Sequence, residues 1–447
     1  MHKAHPSEHL THSNRLNNKD IFVVAIPIVL SNITTPLLGL VDTAVLGQLG
    51  AAHLIGAAAV GTSIFSMMFW AFGFLRMGTT GLTAQADGTG DQDVVIGTLL
   101  RALSIGLGLG LVLLLLQGIL NVLAFALYPA SQQVEAAAKI YFDIRIWSAP
   151  ATLANYALLG WFIGLGRAHI AFVLQLLLNG LNIFLDIYFV MVLHLGIEGV
   201  ALGTVIAEIV AAIAGIGVAL KYIGWPGRAL PWYRLFDMSA LKRAIAVNTD
   251  IMIRTLCLLF AFAFLTAQSA GMDDVTLAAN AILLGFLHIS AYFLDGFAFA
   301  AERFVGRSIG AGRRDEFYAA VYLSSVWAGL FSITLAFVFW LGGGFIIDVM
   351  TINENVREVA RVYLIWAIIA PVVGFASFQL DGIFIGATQT QDMRNMMIVS
   401  LVLYLTFWFF VFPIFGNHGL WASLIVFFIV RALTLLWCFP KLEKAVF

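Results

Sequence analysis

The sequence predicts an all-α integral membrane protein whose twelve transmembrane helices form two pseudo-symmetric six-helix bundles, arranged as parallel repeats around a central cleft. Three observations support this fold class. Of the 447 residues, 61% are hydrophobic and only 11% are charged, which is too little polar surface for a water-soluble globule. Roughly a dozen apolar runs have the length of about 20 residues that a spanning helix needs. The second half of the chain also repeats features of the first half.

The apolar runs follow one another along the whole chain and are separated by short polar breaks. The predicted spans are 21–45, 54–79, 94–127, 136–163, 168–194, 197–221, 241–269, 275–302, 317–346, 356–386, 393–415 and 418–440. They divide the chain into a tail (1–20), a first lobe (21–222), a linker (223–240), a second lobe (241–440) and a short tail (441–447). An even number of spans places both termini on one side of the membrane.

Lysine and arginine residues are concentrated on one side of the predicted spans. They occupy the tails, the linker and the loops after the fourth, eighth and tenth spans, whereas the opposite side has only Lys139 and Arg357. By the positive-inside rule, both termini and the linker are therefore cytoplasmic. We expect a multi-pass protein of the cytoplasmic (inner) membrane of a bacterium or archaeon, in contact with the lipid bilayer.

The two halves are related by a shift of 222 residues. AQADGTGDQD, from Ala84, then overlays GRSIGAGRRD, from Gly306, and GWFIG, from Gly160, overlays GIFIG, from Gly382. After a two-residue slip, LGIEGVA overlays FGNHGLW. Six-helix units with the same orientation are parallel repeats. Two such bundles suit alternating access to a site near the middle of the membrane, a geometry for which a channel or a membrane enzyme has less need.

The first predicted span contains an acidic residue and a proline. An ionisable side chain inside a membrane helix costs roughly 2.5 to 3.5 kcal/mol on the insertion scale, so Asp42 requires a partner, a cavity or a function. Pro27 lies about 22 Å before Asp42 along a helix, which places Asp42 in the outer half of the membrane. Proline in a membrane helix predicts a kink, whether its role is structural or functional.

Other polar residues of the first lobe lie at helical spacing. On the fifth span the intervals of four, three and four predict one polar stripe, formed by Gln175, Asn179, Asn182 and Asp186. Similar stripes occur on the fourth and sixth spans, and they consist of Tyr141, Arg145, Ser148, Thr152, Thr204 and Glu208. Together with Asp42, these stripes predict an oxygen-rich pocket. The 222-residue shift replaces Asp42, Asn182 and Asp186 by Phe264, Tyr404 and Trp408, so the cluster belongs to one lobe and favours function over a packing requirement.

The second lobe has charges of its own. Asp250 and Arg254 are four residues apart on the seventh span, and Asp295 and Glu302 share a face of the eighth. We expect Asp250 or Asp295 to neutralise Arg254. These residues, together with Asn248 and Asp381, form a buried polar network whose role is either structural or secondary to that of the first lobe.

Several function classes lack their motifs in this sequence. The phosphate-binding motif G-x-x-x-x-G-K-[ST] is absent, so we expect no nucleotide hydrolysis, no requirement for an ATPase subunit and transport driven by an ion gradient. H-E-x-x-H is also absent, and we predict neither an enzyme nor a cofactor. Basic residues do not alternate with aromatic residues on a polar surface, so no nucleic-acid partner is predicted.

Three stretches resemble the multidrug and toxic compound extrusion (MATE) transporters, and specifically their DinF-like branch. They are VDTAVLGQLG around Asp42, NTDIMIRTLCLLFAFAF from Asn248 and LDGFAFAAERFVGRSIGAG from Leu294. The resemblance covers essentially the whole chain. It implies twelve helices in two lobes, efflux of drugs or metabolites, and coupling to H⁺ or Na⁺.

The resemblance also implies residue roles. The first-lobe cation and proton-coupling site of the family corresponds to Asp42, Tyr141, Asn182, Asp186 and Thr204, of which Tyr141 and Thr204 rest on spacing from neighbouring motifs. A Na⁺ ion would bind at Asp42, Asn182 and Asp186. The proline that bends the first helix in the family corresponds to Pro27.

The predicted activity is secondary active export of cationic amphipathic compounds in exchange for H⁺ or Na⁺. Substrate and coupling ion would compete for the same carboxylates, because burial favours the protonated form of a carboxyl group and a bound cation favours the ionised form. Residues of the first-lobe cleft, namely Asp42, Gln175, Asn179 and Asn182, are the expected substrate contacts. We expect a functional monomer. A flippase for a lipid-linked substrate, an exporter of a narrow metabolite, and a channel or sensor are the alternatives.

Overall fold

The computed structural model describes residues 16–49, 51–128 and 130–447, and these residues are helical along most of their length. The first lobe contains α1 (Asn18–Gly47), α2 (Ala52–Ala71), α3 (Phe74–Thr89), α4 (Gln92–Leu115), α5 (Gln117–Leu127), α6 (Gln132–Arg145), α7 (Ala149–Gly164), α8 (Ala168–Ile187) and α9 (Gly196–Ile223). The second lobe contains α10 (Met238–Ala270), α11 (Asp274–Gly310), α12 (Arg314–Met350), α13 (Glu354–Gly386), α14 (Thr390–Phe415) and α15 (Asn417–Val446).

Each predicted span corresponds to one helix or to consecutive helices, and the all-α membrane fold is confirmed. Among the described residues, ten helical stretches are long and apolar enough to cross a membrane. The fourth predicted span is interrupted by a 3-10 turn at Ile146–Ser148, before α7. Pro150 in the first turn of α7 explains the break, because it has no N–H and its ring clashes with the carbonyl group four residues earlier.

The second and eighth spans were predicted too short at their carboxyl ends. Their helices continue beyond the apolar runs, α3 to Thr89 and α11 to Gly310. Gly90 and Gly312 follow them with φ angles of 76° and 66°, a left-handed conformation that glycine adopts without steric cost. These two glycines are 222 residues apart, so the repeat inferred from sequence is present in the backbone.

The repeat is also present in helix packing. A Cβ atom at Gly164 of α7 would lie 2.7 Å from the carbonyl oxygen of Thr80 in α3. At the equivalent position of the second lobe, a Cβ atom at Gly386 of α13 would lie 2.6 Å from the carbonyl oxygen of Glu302 in α11. Only glycine permits such close approach, so the same helix crossing is built in both lobes.

The lobes meet where α3 crosses α11. A Cβ atom at Gly88 would overlap with the carbonyl oxygen of Arg307, and a Cβ atom at Gly310 would overlap with the carbonyl oxygen of Gln85. The helix α1 lies beside α8 of its own lobe and also beside α11 of the other lobe. It is therefore the element of the first lobe that carries a candidate site residue and contacts both lobes.

Candidate functional site

The polar side chains predicted to converge in the first lobe do converge. Asp42 comes from α1, Tyr141 and Arg145 from α6, and Asn182 and Asp186 from α8. The remaining members, Thr204 and Glu208, come from α9. We call this set of seven residues the first-lobe chamber, and every one of its side chains is buried.

Asp42 and Asp186 form the centre of the chamber. Their exposed fractions are 7% and 0%, and their carboxyl groups interact directly with each other. Among the residues that the structure describes, no N–H or hydroxyl group lies at hydrogen-bond distance from either oxygen of Asp186 or from Oδ1 of Asp42, and the Asn182 side chain lies near enough to interact with the Asp186 carboxyl group. Buried acceptors without donors are rare in folded proteins, so the pair is suited to bind a proton or a cation.

Two glycines make room for this arrangement. A Cβ atom at Gly203 of α9 would overlap with Oδ1 of Asp186, and a Cβ atom at Gly61 of α2 would overlap with the ring of Tyr141. The sequence gives no sign of these roles, because glycine is common in membrane helices for packing reasons alone. Gly203 is a positioning residue for the carboxyl pair.

The other predicted coupling residues surround the pair. The Asn182 side-chain amide donates a hydrogen bond to the Thr204 hydroxyl at 3.1 Å, and this hydroxyl donates to the Val200 carbonyl oxygen. Tyr141 is 3% exposed and lies near enough to Asp42 and Asp186 to interact with both electrostatically. The structure therefore brings all five predicted coupling residues together, while their role in coupling stays a prediction.

Arg145 is the one guanidinium of the first-lobe chamber. It donates a hydrogen bond to the Ser148 hydroxyl, and its Nη2 lies 3.8 Å from Oε1 of Glu208. Glu208 also accepts a hydrogen bond of 2.8 Å from Asn155. With Asp42, Asp186 and Glu208 ionised, three carboxylates face one guanidinium, so the chamber has a deficit of positive charge that a cation would fill.

The predicted substrate residues Gln175 and Asn179 extend the stripe on α8 away from the carboxyl pair. The Gln175 amide donates to Asn179 Oδ1 at 2.8 Å, and the Asn179 amide donates to the Thr34 hydroxyl of α1 at 2.9 Å. These bonds connect α1 to α8 in this conformation. Movement of α1 would break the second bond and release the Asn179 amide.

Pro27 lies within α1, which is one continuous helix and also contains Pro36. Close to Pro27, a Cβ atom at Gly296 of α11 would lie 2.5 Å from Val29 and 2.9 Å from the Ala25 carbonyl oxygen. The proline is therefore next to the contact between α1 and the second lobe. Since proline removes one backbone hydrogen bond from its helix, α1 is locally weakened at this contact.

In the second lobe, neither Asp250 nor Asp295 forms an ion pair with Arg254 in the described residues, although Asp295 interacts with it electrostatically. Arg254 pairs with Asp381 of α13, with an Nε–Oδ2 distance of 3.0 Å. Arg431 of α15 pairs with the same carboxylate at 2.6 Å. Asp250 instead accepts from Arg394 at 2.6 Å and from Thr390 at 2.9 Å. Helical spacing cannot predict such partners because they belong to other helices.

The remaining polar residues of the second lobe lie at its border with the first. Glu302 is 2% exposed, and within the described ranges its Oε2 has no hydrogen-bond donor. Asp295 lies on the same helix, and both carboxylates interact electrostatically with Arg76 of α3. Asn248 donates to the Ala244 carbonyl oxygen at 2.8 Å.

Sequence reasoning missed Arg76 and Arg431. Each is a lone charge within an apolar run, FLRMG and FFIVRALTL, which is the same signal that identified Asp42. Arg431 forms an ion pair with Asp381, and Arg76 interacts electrostatically with Asp295 and Glu302. The polar network around the second-lobe carboxylates therefore contains more arginines than the sequence predicted.

The protein has two parallel lobes of six spans each, and the first lobe contains a buried anionic chamber. This architecture is that of a secondary transporter of the two-lobed class. The MatE family model matches residues 27–188 and 251–410. The chain is 40% identical over 423 residues to DNA damage-inducible protein F of Escherichia coli strain K12, covering 94% of this chain and 91% of that protein. It is 26% identical to the probable multidrug resistance protein NorM of Rhizobium meliloti, covering 91% and 89% of the two chains.

Solved structures agree with this fold. A MATE transporter in the bent conformation superimposes with a TM-score of 0.86 at 19% identity, covering 95% of both chains. The straight conformation gives a TM-score of 0.86 at 17% identity, covering 96% of both chains. This chain belongs to the MATE family of transporters, in its DinF-like branch, as its sequence predicted.

Proposed function

We propose that this protein exports cationic amphipathic organic compounds in exchange for H⁺ or Na⁺, and that Asp42 and Asp186 bind the exchanged cations in turn. The observation that carries the proposal is the buried carboxyl pair, three of whose four oxygens lack donors within the described residues. The names of the relatives support the substrate class, since one of them is a probable multidrug resistance protein.

Exchange follows from competition for one anionic site. Two carboxylates in direct contact are costly when both are ionised and unpaired, so a proton, a sodium ion or a cationic substrate lowers the energy of the chamber. A substrate that occupies the pair excludes the coupling ion, and the coupling ion displaces the substrate. The oxygens of Asp42, Asn182 and Asp186 are the hard ligands that Na⁺ would accept.

Conformational change supplies the coupling. Entry of H⁺ or Na⁺ from the exterior would favour bending of α1 near Pro27, which would break the hydrogen bond between Asn179 and Thr34 and close the space that holds the substrate. The bent and straight conformations of structurally similar MATE transporters support this step. One charge moving through 100 mV gains about 2.3 kcal/mol, which is sufficient for a useful concentration ratio.

The sequence supports a proposal for the setting of this activity. We propose that the protein works as a monomer in the cytoplasmic membrane of a bacterium or archaeon, with both termini in the cytoplasm. It would require no cofactor, ATPase subunit or nucleic acid, and no step of the cycle would be enzymatic.

Efflux of a fluorescent cationic dye from proteoliposomes tests the proposal, with proton and sodium gradients imposed separately. Wild type should move dye under one of the two gradients, and Asp42→Asn should abolish that movement. Asp143→Asn is the matched control, because Asp143 is an exposed carboxylate of the same lobe that accepts a hydrogen bond from Asn121.

Any one of three outcomes contradicts the proposal. Wild-type efflux by Asp42→Asn would remove the carboxyl pair from the coupling step. Absence of dye movement under both gradients would indicate that the substrate is a lipid-linked compound or a narrow metabolite. A steady ohmic current without exchange would indicate a channel.

A further inference from the structure

A second cavity lies apart from the first-lobe chamber, between α3 and α4 of the first lobe and α10 and α11 of the second. Its volume is about 480 Å³. Its apolar wall includes Leu82, Val94, Ala102 and Ile105. The polar part of its lining includes Arg101, Arg243, Gln85, Thr98, Ser239 and Asn248. We call this space the arginine pocket.

The arginine pocket lies at the cytoplasmic end of the lobes, as the positive-inside rule orients the chain. Ser239 and Arg243 belong to the first turns of α10, immediately after the linker. Arg101 donates a hydrogen bond of 2.5 Å to the carbonyl oxygen of Arg234, which lies within that linker. The pocket is therefore open to a different compartment from the outer half of the membrane where Asp42 is expected.

The charge of this pocket is opposite to that of the first-lobe chamber. Its lining contains two arginines and no aspartate or glutamate. Within the described part of the chain, neither guanidinium forms an ion pair with a carboxylate. Arg243 donates to neutral oxygens, those of Gln85 at 2.5 Å and Thr388 at 2.7 Å. Arg101 is buried and Arg243 is exposed, and guanidinium groups that form no ion pair repel a cationic substrate and attract an anion.

The acidic group that interacts with Arg101 does not supply the missing charge. Asp237 interacts electrostatically with Arg101, but its Oδ1 already accepts hydrogen bonds from the backbone N–H groups of Ser239 and Ala240 and from the Ser239 hydroxyl. These bonds, with the nearby Arg101, hold the pKa of Asp237 below its usual value. Asp237 is thus an ionised helix cap at the rim, not a lining residue of the pocket.

We propose that the arginine pocket binds a phosphate group, carried either by an anionic lipid headgroup or by a soluble cytoplasmic anion. Arginine is suited to this role because its planar guanidinium donates two parallel hydrogen bonds to phosphate oxygens. The apolar wall beside the arginines matches a headgroup with its attached glycerol and acyl chain, and basic pockets between membrane helices on the cytoplasmic side bind such headgroups. Arg101 lies on α4 of the first lobe and Arg243 on α10 of the second, so a ligand that fills the pocket would contact both lobes.

Binding to the purified full-length protein tests this proposal. Native mass spectrometry in detergent would measure the affinity for phosphatidylglycerol, for phosphatidylcholine and for inorganic phosphate. The double variant Arg101→Gln with Arg243→Gln should weaken phosphatidylglycerol binding by about tenfold or more, which corresponds to about 1.4 kcal/mol. The matched control is Lys221→Gln with Lys242→Gln, which removes two exposed cations near the linker that do not line the pocket.

A second variant keeps the charges and fills the space. Ala102→Phe places a ring in the pocket and leaves both arginines in place, so it should also weaken binding of the anionic lipid. This variant keeps the proposal testable if the arginine double variant does not fold. Thermal unfolding of each unliganded variant establishes that its fold is intact before the affinities are compared.

The outcomes separate the sources of the phosphate. Arginine-dependent binding of phosphatidylglycerol, without binding of inorganic phosphate, would support a lipid headgroup. Arginine-dependent binding of inorganic phosphate would support a soluble anion. Equal affinity for the anionic and the neutral lipid together with no phosphate binding, or an equal loss of affinity in the arginine and lysine double variants, would overturn the proposal.

Discussion

The two lobes share a backbone plan, yet equivalent positions contain opposite chemistry. Where the first lobe has Asp42, Asn182 and Asp186, the second has Phe264, Tyr404 and Trp408. The Phe264 ring lies 4.8 Å from the Trp408 ring at 87° and 5.9 Å from the Tyr404 ring at 81°. In the first lobe this volume holds a carboxyl pair. In the second lobe an edge-to-face aromatic cluster fills the equivalent volume.

This difference shows that the helix arrangement does not require the anionic chamber. The second lobe keeps the glycine crossing and the helix-ending glycines without any acidic group at the three positions. Its buried carboxylate Asp381 is shared by two guanidinium groups, Arg254 and Arg431. Negative charge is in excess in the first-lobe chamber and compensated around Asp381, so exchange chemistry is expected in the first-lobe chamber rather than at Asp381.

The largest expected effect comes from removing the excess charge. Asp186→Asn should lower gradient-driven dye efflux by about 100-fold or more, which corresponds to about 2.7 kcal/mol, because the chamber then loses a carboxylate for cation binding. Folding should be preserved, since the amide is close to the carboxylate in size. If efflux in proteoliposomes stays above about one tenth of the wild-type rate, one carboxyl group is sufficient for coupling and the pair is not required.

The compensated charges of the second lobe should instead affect stability. Asp381→Asn leaves Arg254 and Arg431 buried without their carboxylate, and breaking a buried pair in this way costs about 3 to 5 kcal/mol. Thermal unfolding in detergent measures the effect. Asp392→Asn is the control, because Asp392 pairs at 2.6 Å with the exposed Lys441, and an exposed pair contributes about 0 to 1 kcal/mol. Equal destabilisation by both variants would contradict a structural role for Asp381.

A smaller effect is expected from the glycine that makes room for the carboxyl pair. Gly203→Ala would force Asp186 to shift, at a cost of about 1 to 3 kcal/mol from overpacking, and dye efflux should fall by about tenfold. Gly217→Ala on the same helix is the control, since a Cβ atom there would have no heavy atom within 4 Å among the described residues. If the two variants transport equally well, the position of Asp186 is not limiting.

The smallest effect on transport is expected from the aromatic counterpart of Asp186. Trp408→Phe removes a buried indole N–H that has no acceptor within the described residues and retains an aromatic ring. Efflux should stay within about twofold of wild type, less than about 0.5 kcal/mol. A loss of efflux comparable to that of Asp186→Asn would mean that both lobes take part in coupling. The expectation that exchange depends on the first lobe would then be wrong.

Sequence patterns predicted the parts of this molecule that depend on one helix at a time. Apolar length predicted the spans, helical spacing predicted the stripe from Gln175 to Asp186, and the 222-residue shift predicted the repeat. The ion-pair partner of Arg254 was not predicted because it depends on how α10, α13 and α15 are rotated against one another. The role of Gly203 was missed for a similar reason, since the space it leaves is defined by a side chain of another helix.

The crossing of α3 and α11 has a consequence for the symmetry of the fold. Gly88 meets the carbonyl oxygen of residue 307, Gly310 meets that of residue 85, and both pairs are related by the same shift of 222. Reciprocal contacts of this kind are the signature of an isologous interface, in which one surface patch binds a second copy of itself. A single six-helix unit could therefore form the same crossing as a homodimer, whereas two units joined in one chain can differ at the positions of Asp42, Asn182 and Asp186.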